Sequence, residues 1–227
     1  MLTPRERQVP AALSRHLMLQ AVAELCSRDT DLARVVTKHG PPPMWARPPG
    51  FATLVRIVLE QQVSLSSAEA AFNRLRAGIG RVSAARLSRL SPLQIRRLGI
   101  TRQKAGFIRG IAHATVGGAL RFRSLSLADD VTARNALLQI KGIGPWTADI
   151  YLIMALRRPD VWPHGDLALV RSLKTLKRLR SEPRPDTVRR ITATWTPWRA
   201  VAARIVWHSY LAERRRVDTC NSRPPGR

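Results

Sequence analysis

Apolar residues recur at helical intervals from Ala11 to Thr37: Leu13, Leu17, Val22 and Leu25, then Leu32, Val35 and Val36. Steps of three and four positions put such residues on one helix face. Asp29 to Asp31 breaks the run and can cap a second helix, which Gly40 ends. Pro41-Pro42-Pro43 and Pro48-Pro49-Gly50 bracket a loop carrying Trp45, the best linker candidate in the chain. Phe51 to Glu60 reads as a buried helix through Phe51, Leu54, Val55, Val58 and Leu59. Beyond Gln61-Gln62-Val63-Ser64, either Ser64 or Ser66 can cap a helix that stops at Gly78 to Gly80. Ser91-Pro92-Leu93-Gln94 has the spacing of a capping box with proline in the first turn, and Gly99 stops that helix. Thr101 starts another, with Ala105, Ile108, Ile111 and Ala112 facing inward, and Gly117-Gly118 breaks it.

Asp129-Asp130 opens a helix whose Leu137, Leu138 and Ile140 lead into the turn Lys141-Gly142-Ile143-Gly144. Pro145 suits the first position of the next helix, where its missing N–H would be unpaired anyway. The glycines permit a sharp reversal and close approach of another backbone. Residues 137–151 therefore read as a helix-hairpin-helix, whose turn amides and helix start form an anion site. After Asp166 comes a helix with a strongly basic face, then a loop from Ser181 to Pro185, then helices over Val188 to Thr194 and Trp198 to Ala212. Arg214 onward reads as a disordered basic tail. No stretch alternates with period two, so the fold class is all-α.

Charge narrows the partner. Lys+Arg of 39 against Asp+Glu of 15 gives a net charge of +24, with a pI near 11.9. Such an excess attracts polyanions through counterion release, which makes binding salt-dependent. Ribosomal and chromatin proteins share this charge, so it selects a partner class and no more. Cys26 and Cys220 form neither a metal-cluster spacing nor a disulfide framework, which fits a reducing interior. Cys26 lies on an apolar helical face and is expected in the core. No apolar run approaches the ~20 residues needed to span a membrane, and no signal-peptide pattern opens the chain. The expected setting is intracellular, cytoplasmic or nucleoid-associated.

The stretch K-G-I-G-P-W-T-A, followed after a short loop by Asp166, resembles the helix-hairpin-helix DNA glycosylase superfamily, and most closely its alkylbase branch of the 3-methyladenine DNA glycosylase II type. F-A-T-L-V-R-I-V-L-E-Q-Q-V-S, L-G-I-T-R-Q-K-A and W-T-P-W-R-A-V-A-A-R-I-V-W-H resemble the same branch. The resemblance spans about Leu32 to Leu211. It implies two helical lobes with a cleft between them: residues 51–157 barrel-like, and residues 1–50 packing with 158–213, leaving a tail at 214–227. A monomer acting on damaged bases in double-stranded DNA is expected; backbone carbonyls of such a hairpin can hold a cation against DNA in the family, but the sequence provides no carboxylate cage, so no required metal or other cofactor is expected. No cysteine quartet of the iron–sulfur branch is present.

On this resemblance Asp166 is the catalytic carboxylate; from position alone it is a helix N-cap, and one side chain can serve both roles. Trp146 and Trp207 align with base-pocket positions, with core packing the other reading for Trp207. Trp45, Trp162, Trp195 and Trp198 are taken as structural. Gln61, Gln62, Lys141, Gly142, Ile143, Gly144 and Thr147 fall on DNA-binding positions. Gln62 aligns with the wedge that fills the gap left by a flipped nucleotide; as residues alone, it is a polar helix end. Asp149 is a rival acid whose plainer role is a buried hydrogen bond or a surface charge. Trp146 stands where bifunctional members place a lysine, and an indole cannot form a Schiff base, so base release without strand cleavage is expected. Three functions follow: an alkylpurine glycosylase, a non-catalytic structure-specific DNA-binding protein, and a glycosylase for a neutral lesion such as hypoxanthine or an oxidised purine.

Overall fold

The computed structural model describes residues 9–221, and among them every regular element is a helix. In order these are α1 (Arg15–Arg28), α2 (Thr30–His39), α3 (Phe51–Glu60), α4 (Leu65–Ile79), α5 (Ala84–Ser88), α6 (Pro92–Arg97), α7 (Arg102–Val116), α8 (Phe122–Leu127), α9 (Asp130–Leu138), α10 (Pro145–Met154), α11 (Leu167–Leu176), α12 (Pro185–Ala193) and α13 (Arg199–Asn221). Ser14, Asp29, Ser64, Ser83, Ser91, Thr101, Asp129 and Asp166 each accept a backbone N–H at a helix start. Such a cap is worth about 1 kcal/mol. Ser64 is thus the cap of α4, and the Ser91–Gln94 capping box forms in full. The hydrophobic pattern does not announce α5 and α8, because helices of fewer than two turns show too little periodicity. None of the described helices is long and apolar enough to cross a membrane.

The chain divides into two compact units. One is built on residues 46–157 and holds α3 to α10. Here α7 packs against α3, α5 and α6, burying Ala105, Ile108, Ile111 and Ala112. In turn α10 packs on α3 and α9. Arg47 grips Glu60 through both guanidinium Nη atoms, at 3.0 and 2.7 Å, tying the proline-bracketed segment to the end of α3. The Gly50 amide, at the start of α3, donates to the Tyr151 hydroxyl of α10 at 2.8 Å.

The other unit takes residues 12–45 and the chain from Arg158 onward. Within it α13 packs against α1, α2 and α11. Asp29 ends α1, caps α2, and accepts from Lys177 Nζ and from the indole N–H of fully buried Trp195, each at 2.7 Å to Oδ2. Burial would raise its pKa, but Lys177, Trp195 and the Leu32 amide outweigh that and hold the carboxyl below its ordinary value. Cys26 is half-buried rather than in the core, beside Asp29. Helix α13 continues through Asn221, where a disordered tail was expected from Arg214. A packed helix extends at one bond per residue, and no glycine or proline stops it before Pro224. Residues 222–227 of the expected tail lie outside the described residues.

Candidate functional site

The hairpin between α9 and α10 is made mostly of backbone. The Ile140 amide donates to Leu137 O and the Ile143 amide to Ile140 O, which closes the turn tightly. Gly142 sits at φ +93°, and a Cβ there would lie 2.2 Å from the Phe107 ring of α7, so only glycine fits. Gly144 is different: its φ is −90° and a Cβ would meet nothing within 4 Å. Nothing inside the protein requires glycine there, and the space in front of it is open. Helix α10 starts at Pro145 with no side-chain cap, so its N-terminal dipole faces outward from this turn. Lys141 is exposed beside it, whereas the Ile143 side chain is buried. Backbone amides with a neighbouring lysine make a phosphate-binding geometry.

Two residues expected to touch DNA also bond to each other within the protein: Gln61 is half-buried and Thr147 buried. Gln61 Nε2 donates to Gly142 O at 3.0 Å and to Thr147 Oγ1 at 2.8 Å. Thr147 is 1 % exposed. Their side chains hold the hairpin to the end of α3 from within, because the turn carbonyl and the buried hydroxyl both need a partner. Gln62 is exposed and has the left-handed φ of +55°, unusual for a side chain with a Cβ. The rival acid Asp149 is fully buried in α10 and takes Arg134 Nε of α9 at 2.6 Å, an ion pair across the hairpin helices.

Asp166 follows Gly165, whose φ of +75° turns the chain into α11. Its Oδ1 accepts the Leu169 amide at 2.9 Å and the Trp207 indole N–H at 3.3 Å. The carboxylate is 8 % exposed, flanked by exposed Gly165 and Leu167. It is therefore an N-cap and also a carboxylate oriented by a tryptophan of α13. Trp207 is itself buried, so its polar edge serves Asp166.

Trp45, taken as structural from the sequence, packs against the tryptophan that holds Asp166. This half-buried ring stands edge-on to Trp207, with centroids 6.5 Å apart at 76°, and edge-on to His208 at 6.3 Å and 79°. Its backbone is left-handed at φ +46°, a true outlier for a bulky residue. Fully buried Arg204 holds the preceding carbonyl, Met44 O, through Nε at 3.0 Å, and burial pushes its pKa down to about 10. Trp146, in the first turn of α10, is half-buried, and Ile150 one turn on is buried. Among the described residues no group of His, Cys, Asp or Glu is arranged to hold a metal ion.

A DNA-3-methyladenine glycosylase of Bacillus subtilis is 33% identical over 122 residues, 54% of this chain and 40% of that protein, so the chain spans less than half of that relative. DNA-3-methyladenine glycosylase 1 of Schizosaccharomyces pombe is 29% identical over 181 residues, covering 78% of this chain and 79% of the relative. The solved structure of S. pombe 3-methyladenine DNA glycosylase (Mag1) in complex with abasic DNA superposes with a TM-score of 0.77 at 26% identity, over 86% of this chain and 97% of that one. Residues 55–197, which contain the hairpin, Asp149 and Asp166, match the family described as HhH-GPD superfamily base excision DNA repair protein, and the chain belongs to that family.

Proposed function

We propose that the protein is a monofunctional DNA glycosylase that hydrolyses the N-glycosidic bond of alkylated purines, of the 3-methyladenine kind, in double-stranded DNA. The observation that carries this reading is Asp166, a nearly buried carboxylate fixed by the Leu169 amide and the Trp207 indole and flanked by exposed residues. The names of the S. pombe and B. subtilis relatives support the same substrate class.

Breaking an N-glycosidic bond leaves positive charge on the deoxyribose. An oriented carboxylate stabilises that charge and can align or deprotonate the attacking water. A ring-alkylated purine is already cationic and departs neutral, so the leaving group needs no protonation by the enzyme. Exposing the base costs a few kcal/mol. Stacking on the ring of Trp146 returns ~1–3 kcal/mol per base, with a cation–π contribution for a charged purine. Gln62, exposed on a left-handed turn, fills the vacated space in the duplex. The amides of Gly142 and Gly144, with Lys141, bind phosphate on one strand. With tryptophan at position 146 no Schiff base forms, and the product is an intact abasic site.

The test is base release from methylated duplex DNA by the wild type and by Asp166→Asn. A fall of about 10²–10³-fold in rate with duplex affinity retained is expected. Unchanged release rules out Asp166 as the catalytic carboxylate. A wild type that binds duplex and releases nothing is a structure-specific binder, and equal turnover of hypoxanthine makes it a glycosylase for neutral lesions.

A further inference from the structure

One ammonium joins α7 to the turn after α3. Lys104 Nζ donates to Leu59 O and to Gln61 O, both at 2.7 Å. The Leu59 carbonyl lies in the last turn of α3, where carbonyls have no partner further along the helix. The Gln61 carbonyl belongs to the peptide plane whose orientation is set by ψ 125° at Gln61 and φ +55° at Gln62. Left-handed backbone costs a residue with a Cβ roughly 1–2 kcal/mol, so this plane needs an external hold. Lys104 supplies it, and burial lowers the lysine pKa as expected of an ammonium withdrawn from water. From the same residue, the Gln61 side chain reaches Gly142 O and Thr147 Oγ1 of the hairpin. In a chain of net charge +24, a lysine next to a phosphate-binding turn would ordinarily be taken for a phosphate contact. Its two carbonyl partners give it a different task.

We infer that Lys104 and Gln61 are positioning residues that join the Gln62 turn and the hairpin into one rigid element, so that gripping the backbone and opening the base stack occur in a fixed register. This rests on the wedge role proposed above for Gln62. Lys104 acts on the main chain of the wedge residue, Gln61 acts on the hairpin carbonyl, and removing either one disconnects the two.

The experiment uses Lys104→Met, Gln61→Ala and the double variant on a duplex carrying a single 7-methylguanine with 2-aminopurine beside it. Three quantities are read: the 2-aminopurine fluorescence rise on binding, the single-turnover rate of base release, and the slope of log affinity against log salt. Each single variant is expected to lose most of the fluorescence rise and to slow release about 10- to 100-fold. The salt slope should stay at the wild-type value, and the double variant should be no slower than the worse single one. A slope reduced by about 0.9 in Lys104→Met, with normal fluorescence, makes Lys104 a phosphate contact and overturns the inference. So do effects that multiply in the double variant. Should Lys104→Met fail to fold, Gln61→Ala decides the matter by the same fluorescence and slope criteria. A wild type with neither fluorescence rise nor base release overturns the glycosylase reading as well, whereas an active wild type with unaffected variants overturns this inference alone.

Discussion

The hairpin of residues 137–151 and the start of α11 each hold a buried aspartate, and the two are built on opposite plans. In the hairpin, the groups facing outward are backbone, and the side chains behind them are struts: Phe107 against Gly142, Gln61 on the turn carbonyl, Arg134 on Asp149. At the start of α11 the polar group is the Asp166 side chain, nearly buried between exposed neighbours, and its supports are the Leu169 amide and a tryptophan 41 residues away. Burial of a carboxylate therefore does not mark a reacting group by itself. Asp149 and Asp166 are both nearly inaccessible, yet one spans two helices to a guanidinium and the other opens a helix beside exposed chain.

The sharpest way to break this contrast is to remove the two carboxylates in turn. Asp149→Ala strands Arg134 and should destabilise the fold by about 3 kcal/mol in a denaturant titration. Asp166→Ala should cost about 1 kcal/mol, the worth of its cap, while abolishing activity. Equal losses of stability would erase the distinction.

Asp29 tests how far the second plan depends on distant polar anchors. Asp29→Asn weakens its charge-assisted bonds to Lys177 and should cost about 2 kcal/mol. Because the folded pKa lies below the unfolded value of 3.8, the wild-type contribution is present above that pH and fades as pH falls through the folded pKa. Acid titration of the melting temperature should show this limb flattened in the variant. The hairpin glycines then separate internal from external demand. Gly142→Ala should lose about 2 kcal/mol through left-handed strain and collision with Phe107. Trp207→Phe removes one hydrogen bond to Asp166 and should slow base release about tenfold or less, with a stability loss of about 1–2 kcal/mol from truncating a buried indole. Smallest in stability is Gly144→Ala, expected within about 0.5 kcal/mol of wild type by calorimetry. Its effect should surface instead as weaker duplex binding, and full affinity would mean that nothing approaches that backbone.

Legibility followed the same division. The hairpin, its proline and the helix caps could be read from residues because each is a local pattern of a few positions. Thr101, Ser91 and Asp129 cap the helices that their spacing announced. Asp166 was readable twice over, as a cap and by resemblance. Its setting was not, since Trp45 and Trp207 come together only through the packing of the segment after α2 against α13. The bonds that Gln61 makes to the hairpin escaped for a related reason: a motif shows which residues accompany a function, but not what each of them holds inside the protein. The helical backbone of residues 214–221 shows a basic composition yielding to helix cooperativity.

Trp45 carries one more consequence. Its segment follows a proline cluster, is pinned at Met44 O by Arg204, and already holds an unfavourable dihedral. Such a segment has little conformational freedom left to surrender. Trp207, and through it the indole N–H that reaches Asp166, therefore rests on a ring that is already set, so the entropy of ordering that support was lost when the chain folded.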